Sequence, residues 1–410
     1  MAPPMSRRFL VAGAFDRYNF GDLLFPRVWR RALKRLGVDA SISYYATREK
    51  DLTGVGGVAA RPLDGLHRDA VTAEDLLVFV GGEILDAGWA GTYASLSTPR
   101  RAFAIKALDR TLGAETLARA LLGSRRALPW LASRAESAGA RIAYWSVGGS
   151  GLDRLPARRQ ARIRDTLGEA ADLSVRDPRT LELLETWGIE ARLAPDGAVL
   201  ASEVFPRKSL REALSPPAGQ LLADLGAGSY ICLQLGRYPS RGHLDEVATQ
   251  IEELHRALPL PVLLLPLGLA PAHEDATALA GVARRLGGSG APRVVAAGEL
   301  PGPLTVTDVL ALVASARLFL GTSLHGNLTA LTYGIPRVGL GPGVRKLDLF
   351  LRTWDPSQPA GCAPFSELSK RALEALETPP ADLASARGSV VDAGWGNLRR
   401  LLEATAKTES

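Results

Sequence analysis

The sequence predicts an α/β protein with two doubly wound, Rossmann-like domains that face a ligand cleft. The first observation is length: the chain has 410 residues, more than one core usually holds. The second is that short apolar runs alternate with helix-like segments, a pattern typical of parallel sheets with helices on both faces. The third is a single interruption of this alternation, between 202 and 229, where prolines and glycines replace the apolar run.

The interruption divides the chain into domains. We expect an N-terminal Rossmann-like domain over 1–204, a linker over 205–228, a C-terminal Rossmann-like domain over 229–380, and a C-terminal helix and tail over 381–410. In doubly wound domains ligands bind beyond the carboxyl ends of the strands. The residues that follow each apolar run are therefore the candidate site residues.

Nine apolar runs predict the strands. Those of the N-terminal domain are RFLVAG (8–13), LLVFVGG (76–82), RIAYWSVGG (141–149) and DLSVRD (172–177). Those of the C-terminal domain are YICLQLG (230–236), PVLLLPLG (261–268), RVVAAG (293–298), RLFLG (317–321) and RVGLG (337–341).

Composition narrows the class of protein. Apolar residues make up 46% of the chain and the formal net charge is +6, which suits a globular protein that meets small anions or an anionic membrane surface. No nucleic-acid recognition motif accompanies the charge, so we expect no nucleic-acid partner. The two cysteines form no metal-binding pattern, and no apolar stretch reaches the ~18 residues of a membrane span. We expect a cytoplasmic protein without a metal site.

The turn after the first strand is the first candidate site. Asn19, Gly21 and Asp22 lead into the helix LLFPRVWRRALKRLG. Small polar residues at a helix start leave backbone N–H groups available for an anion, and Asp22 can also cap the helix.

The second strand ends in a glycine pair. Gly81 and Gly82 allow a close backbone approach. Glu83, which follows them, is either a surface acid or a residue that orients a sugar hydroxyl. Gly148 ends the next strand, so we place it at the same edge of the sheet.

Charged residues end the last two strands of this domain. Arg176 follows DLSV, and Asp177 with Pro178 then opens a helix as cap and first residue. Arg176 could pair with Asp177 or Asp196, or it could bind a phosphate or carboxylate through two hydrogen bonds. We favour the second interpretation, in which Arg176 binds a ligand. Asp196 follows a short strand in LAPDG and faces the predicted cleft by the same topological argument.

In the C-terminal domain, the stretch GTSLHGNLTALTYGIP (321–336) holds one of only five histidines. The strand RLFLG precedes a short turn, and a helix begins near His325. A histidine at a strand's carboxyl end and a helix's first turn favours a functional role. Arg237 follows the first strand of this domain and faces the same side. The turn residues expected to contact a ligand are Gly321, Thr322, Ser323 and Leu324.

The segment 86–134 is basic and partly aromatic. It contains eight arginine and lysine residues and three acids. It is either an ordinary solvated helical face or a surface that meets an anionic acceptor or a membrane interface.

Taken in order, these motifs resemble the polysaccharide pyruvyl transferase family. The shared set is an Asn-x-Gly-Asp turn, a glycine pair after LLVFV, SVRD, a following PD, and SLHG…A…GIP, over roughly 8–350. The resemblance implies a GT-B-like fold and transfer of a pyruvyl group from phosphoenolpyruvate to a sugar, giving a ketal and inorganic phosphate, without a cofactor. It places the acceptor in the N-terminal domain and the donor in the C-terminal domain.

The family's donor residues are an Arg-Leu-His tripeptide and the arginine of an SxRD motif. His325 and Leu324 match the tripeptide and Arg176 matches the second arginine, so the resemblance makes His325 and Arg176 catalytic. Ser323 stands where the tripeptide has arginine, and a serine supplies no positive charge. Either another cation serves the anionic donor, or the donor differs. The candidate substitutes are Arg237, Arg345 and Lys346.

Two other functions remain open from the sequence. One is a GT-B glycosyltransferase that uses a nucleotide sugar. The other is a non-catalytic glycan-binding homologue. The expected partners are phosphoenolpyruvate or another anionic donor, a sugar or glycan acceptor, and a peripheral membrane contact through 86–134.

Overall fold

The computed structural model describes residues 7–271, 274–287, 292–300 and 302–406. The chain divides into two compact units. The first comprises the residues up to Gly197 and those from Ala393, and the second comprises most of the residues from Ala198 to Asp392. Each unit is built on its own sheet with parallel strands, so the predicted class of two doubly wound α/β domains is confirmed.

The first unit contains an eight-stranded sheet in the order β3-β4-β2-β1-β5-β6-β7-β8. All neighbouring strands are parallel except β3 and β4. The strands are β1 (Arg7–Ala12), β2 (Ala40–Ala46), β3 (Lys50–Asp51), β4 (Ala59–Pro62), β5 (Leu76–Val80), β6 (Arg141–Val147), β7 (Asp172–Val175) and β8 (Arg192–Leu193). The helices are α1 (Phe20–Arg35), α2 (Trp89–Leu96), α3 (Pro99–Leu112), α4 (Glu115–Leu121), α5 (Ala157–Leu167) and α6 (Pro178–Thr186).

The second unit contains a five-stranded, wholly parallel sheet in the order β11-β10-β9-β12-β13. Its strands are β9 (Ile231–Gln234), β10 (Val262–Leu264), β11 (Val294–Ala296), β12 (Leu318–Gly321) and β13 (Arg337–Gly339). Its helices are α7 (Ala201–Val204), α8 (Arg207–Glu212), α9 (Pro216–Leu225), α10 (Leu244–Ala257), α11 (Ala276–Ala283), α12 (Val306–Ala314), α13 (Leu324–Thr332), α14 (Arg345–Trp354) and α15 (Leu368–Glu377). A last helix, α16 (Pro380–Ala404), begins in this unit and ends in the first.

The apolar runs form the strands because they are buried on both faces, as parallel strands usually are. Every residue of β5 is buried. In the first unit, Trp29 of α1 packs edge-on against Phe9 of β1 at 5.7 Å and against Trp145 of β6 at 5.1 Å, measured between ring centroids. These contacts fix α1 on the sheet, and with it the turn that precedes the helix.

The segment 205–228, predicted to be a linker, is part of the second unit. It forms α8 and α9, and Ser215 donates from its backbone N and its Oγ to the Asp308 carboxylate at 2.8 and 2.9 Å. Pro216 is the first residue of α9 and Gly226 ends that helix at φ 76°. The prolines and glycines here are helix boundaries rather than linker residues, so the chain divides at Gly197 instead.

Candidate functional site

A buried ion-pair cluster lies at the carboxyl ends of β5 to β8. It comprises Glu83, Gly148, Arg176 and Asp196, and we call it the Arg176 cluster. Arg176 is 3% exposed and donates to Glu83 Oε2 at 2.5 Å and to Asp196 Oδ2 at 2.6 Å. Burial acts to lower the pKa of the Arg176 guanidinium, but the attraction of the two carboxylates outweighs burial and holds the pKa above its usual range.

Of the two acids predicted as partners of Arg176, the structure pairs it with Asp196. Its second partner, Glu83, was not predicted. Asp196 is fully buried against it. Asp177, the other predicted partner, caps α6 instead, accepting hydrogen bonds from the backbone N and the Oγ1 of Thr180 at 2.8 Å each. Glu83 lies 93 residues from Arg176 along the chain. The strands that precede them, β5 and β7, are separated in the sheet only by β6, so the two side chains meet beside Gly148, which follows β6.

Glu83 is the partly exposed member of the cluster, with 21% of its side chain accessible. Its Oε1 accepts a hydrogen bond from Ser150 N at 2.5 Å. A Cβ added at Gly148 would lie 2.5 Å from Glu83 Oε2 and 2.7 Å from Arg176 Nε. A side chain at position 148 would collide with both charged groups, so the ion pair between Glu83 and Arg176 requires glycine there. This requirement is independent of any contact between Gly148 and a ligand.

Asp86 is a site residue that the sequence analysis missed. Gly151 N donates to its Oδ2 at 2.8 Å. Burial, with the negative charge of Glu83 as a second cause, raises the pKa of Asp86 to about 7. A carboxyl group that titrates near neutral pH can accept or release a proton in a reaction. The sequence feature that could have identified Asp86 is its position three residues after Glu83 in GGEILD.

At the end of β1, Asn19 rather than Asp22 caps α1. Asn19 Oδ1 accepts a hydrogen bond from Gly21 N at 3.3 Å. Asp22 lies in the first helical turn, and a Cβ added at Gly82 would be 3.8 Å from its Oδ1. The structure thus places Asp22 beside the glycine pair that follows β5.

Backbone conformation and close packing explain why both residues after β5 are glycine. Gly81 and Gly82 have φ of 61° and 79°, in the left-handed region that side chains disfavour. A Cβ at Gly81 would also lie within 2.1–2.3 Å of three atoms of the Phe25 ring. The two glycines therefore let the chain turn closely over α1 and carry Glu83 to the sheet edge.

In the second unit, the turn after β12 presents His325. Ser323 is the N-cap of α13, and its Oγ accepts a hydrogen bond from Gly326 N at 3.3 Å. His325 lies in the first turn of α13 and is partly exposed, whereas Leu324 is buried. The predicted order of strand, turn and helix is therefore present around His325.

A buried network fixes this turn to the neighbouring strands. Gln234, at the end of β9, accepts a hydrogen bond from Ser323 N at 2.8 Å and donates to Asp275 Oδ2 at 3.0 Å. Asp275 also accepts from Leu267 N at 2.8 Å, beyond the end of β10. Burial raises the pKa of Asp275 to about 6. The network joins the carboxyl ends of β9, β10 and β12.

Two further contacts hold the start of α13. Thr322 Oγ1 accepts a hydrogen bond from Gly236 N at 2.8 Å. Asn327, fully buried, donates from Nδ2 to the carbonyl oxygens of Gly321 and Ser323 at 2.9 Å each. Gly321, Thr322 and Ser323 thus set the position of the histidine by their own hydrogen bonds.

The strands on either side of β12 end near basic residues. Arg237 follows β9, and half of its side chain is exposed. Its Nη1 lies 3.9 Å from Glu274 Oε2. Arg345 and Lys346 open α14 after β13, and both are partly exposed. Since β9 and β13 are the two neighbours of β12, these cations are the candidates to supply the charge that Ser323 lacks.

At these strand ends the first unit carries the acids Asp22, Glu83 and Asp86, with Arg176 and Arg159 beside them. The second carries His325 and the basic residues Arg237, Arg345 and Lys346, with the acids Glu274 and Asp275 beside them. Among the residues that the structure describes, no three His, Cys, Asp or Glu side chains lie together in an arrangement that could hold a metal ion.

Comparison with known proteins gives a family and a fold. A family model described as polysaccharide pyruvyl transferase matches residues 19–343. Among solved structures, the UDP-GlcNAc 2-epimerase from Methanocaldococcus jannaschii is similar with a TM-score of 0.57 and 13% identity over 97% of this chain and 100% of that one. The enzyme from Neisseria meningitidis bound to UDP-GlcNAc gives a TM-score of 0.55 and 13% identity, with the same coverage.

At such identities the likeness shows the fold alone, and the fold is GT-B-like, as predicted. A search of curated proteins gives no match. The family match includes both groups of residues described above, from Asn19 in the first unit to the turn before α14 in the second.

Proposed function

The chain belongs to the polysaccharide pyruvyl transferase family, and on this premise we propose that it moves a pyruvyl group from phosphoenolpyruvate to two hydroxyl groups of a glycan or glycoconjugate. The products are a cyclic ketal and inorganic phosphate. The observation that supports this proposal best is the position of His325. It lies in the first turn of α13, which is held by buried hydrogen bonds, and it follows β12, whose two neighbouring strands end near basic residues.

The second unit is proposed to bind the donor. Phosphoenolpyruvate carries a phosphate and a carboxylate, and basic side chains and a helix N-terminus both attract anions. Arg237, Arg345 and Lys346 replace the charge of the tripeptide arginine, because Ser323 is used as the cap of α13. The backbone around Gly321, Thr322 and Leu324 shapes the donor site.

His325 is proposed to be the general acid. It gives a proton to the methylene carbon of the donor, which becomes a methyl group, and positive charge develops at the neighbouring carbon. One acceptor hydroxyl attacks that carbon and loses its proton; the second displaces phosphate, loses its proton and closes the ketal. Histidine suits the first step because it is the side chain most often used for proton transfer to a reacting group.

The first unit is proposed to bind the acceptor. Carboxylates are strong hydrogen-bond acceptors for hydroxyl groups, and Asp22, Glu83 and Asp86 lie together near the glycine pair. Asp86 is proposed to receive a hydroxyl proton. Arg176 acts as a positioning residue, because its ion pairs with Glu83 and Asp196 hold Glu83 at the sheet edge. Asn19 and Gly21 place α1, and therefore Asp22.

The fold likeness to enzymes whose titles name UDP-GlcNAc supports a second candidate, a glycosyltransferase that uses a nucleotide sugar. A thermal-shift experiment separates the two. We expect phosphoenolpyruvate to raise the unfolding temperature, since a ligand at 100 times its Kd adds about 2.7 kcal/mol, and UDP-GlcNAc to have no effect. The opposite pattern would favour the glycosyltransferase, and a response to neither would support a non-catalytic glycan-binding homologue.

Matched arginine variants locate the donor in that experiment. Arg237→Ala is expected to reduce the shift caused by phosphoenolpyruvate. The control is Arg256→Ala, an exposed arginine in the last turn of α10. That turn leads into the amino end of β10, whereas Arg237 follows the carboxyl end of β9. An equal loss of the shift in both variants would contradict the proposed donor site.

A further inference from the structure

Exposed apolar side chains are concentrated on two helices of the first unit. Of the five large hydrophobic residues exposed in the described chain, three lie on α3 and α4: Phe103 at 77%, Leu121 at 55% and Leu117 at 47%. Leu117 and Leu121 are four residues apart and therefore share one face of α4. We call Arg100, Arg101, Phe103, Leu117 and Leu121 the α3–α4 surface.

These side chains are not part of a core. α2, α3 and α4 enclose a small core of their own, made by other residues: Trp89, Ala90, Ala94, Ala102, Ile105, Ala114 and Ala118. Phe103 follows the buried Ala102 and points away from this core, so its ring contributes almost nothing to folding. Moving such a ring from water into an apolar environment is favourable.

The charge of the α3–α4 surface is positive. Arg100 and Arg101 are exposed at the start of α3. The two acids of these helices face other groups: Asp109 accepts a hydrogen bond from Ala114 N at 2.8 Å, and Glu115 accepts one from Trp89 N at 2.8 Å. The side chains of 110–112, which include the basic Arg110, lie outside the described residues.

We propose that the α3–α4 surface binds peripherally to an anionic lipid bilayer. Phe103 lies three residues after Arg100 and so shares a helix face with it, and α3 and α4 both pack against α2. Exposed apolar side chains together with arginines are the combination that inserts into the boundary between headgroups and acyl chains. The arginines meet the lipid phosphates and the apolar side chains enter below them. None of the helices described in the structure combines the length and apolar character that crossing a bilayer requires. This inference does not depend on which donor the enzyme uses.

Co-sedimentation with vesicles tests the proposal. We expect the protein to bind phosphatidylglycerol-containing vesicles and not pure phosphatidylcholine vesicles, with binding that falls as salt rises. Because each arginine near an anionic surface contributes about 1 kcal/mol, Arg100→Ala/Arg101→Ala should weaken binding by about tenfold or more. Phe103→Ala/Leu121→Ala should weaken it similarly, through loss of apolar insertion.

Tyr238→Ala is the matched control, because Tyr238 is an exposed aromatic residue of the second unit, at 54%. It should bind vesicles like the wild type, and all variants should keep the wild-type unfolding temperature and donor response. Absence of binding to anionic vesicles, or equal binding by the α3–α4 variants, would overturn the proposal. Binding to an acidic protein but not to vesicles would do the same.

Discussion

The Arg176 guanidinium forms its ion pairs with side chains of its own unit. Its guanidinium is buried between Glu83 and Asp196, whereas the sequence favoured a role in holding the donor anion. The buried arginine attracts both carboxylates, and one of these, Glu83, is partly exposed. We therefore propose that Arg176 positions Glu83, and its binding of a donor anion stays a prediction from the sequence.

Replacing Arg176 tests this role. Arg176→Ala leaves the buried Asp196 and the partly exposed Glu83 without a cation, and loss of one partner of a buried ion pair costs about 3–5 kcal/mol of unfolding free energy. Urea denaturation measures it. Arg179→Ala is the control, since Arg179 pairs with Asp153 at the surface, where half of its side chain is exposed, and surface pairs contribute about 0–1 kcal/mol. Unchanged stability in Arg176→Ala, with loss of the donor-induced shift, would restore the donor role.

Ser323 shows how one residue changes the family's pattern. Its Oγ accepts the Gly326 N–H at the start of α13, a role that an arginine side chain cannot take because it has only donors. The histidine remains in the first turn of α13, and we propose that the basic residues after β9 and β13 supply the positive charge. The sequence shows that a serine stands in place of the arginine, but it does not show that this serine caps α13.

At the scale of elements, the turn between β5 and the following segment is the most constrained. Gly81→Ala introduces a side chain at φ 61° and against the Phe25 ring, so we expect a loss of at least about 2 kcal/mol in unfolding free energy. Gly91→Ala, in α2 with no atom within 4 Å of the added Cβ, should instead stabilise by about 0.5–1 kcal/mol. Equal effects of the two substitutions, measured by urea denaturation, would contradict this account of the turn.

The elements that the sequence predicted are those buried on both faces. β5 reads as LLVFV and all its residues are buried. β2 was missed because ASISYYA mixes small, polar and aromatic residues and is only partly buried. β3 and β4 were missed because they are short and lie at the end of the sheet, with exposed residues. The helices of 205–228 were missed because their boundary prolines and glycines are also typical of linkers.

At the scale of the whole molecule, the sequence predicted which residues lie at strand ends but not which of them meet. Glu83 pairs with Arg176 because β5, β6 and β7 are consecutive in the sheet, and strand order is not encoded in any local pattern. The same holds for Gln234, which contacts Ser323 because β9 lies beside β12. Asp86 was missed because its raised pKa depends on burial and on a neighbouring acid.

The proposed reaction assigns one substrate to each unit. The acids Asp22, Glu83 and Asp86 of the first unit are proposed to accept hydrogen bonds from the acceptor's hydroxyl groups. The basic residues Arg237, Arg345 and Lys346 of the second are proposed to bind the anionic groups of the donor.

The central claim is that His325 supplies the proton that starts pyruvyl transfer. The direct measurement is mass-spectrometric detection of one added pyruvyl ketal, with phosphate release, when the protein is given phosphoenolpyruvate and a set of lipid-linked oligosaccharides, nucleotide sugars and glycosides. His325→Ala should lower the rate by about 10²–10⁴-fold with an unchanged unfolding temperature, and His255→Ala, at the far end of α10, should retain the wild-type rate. Near-normal ketal formation by His325→Ala, or none by the wild type with any of these acceptors, would contradict the claim.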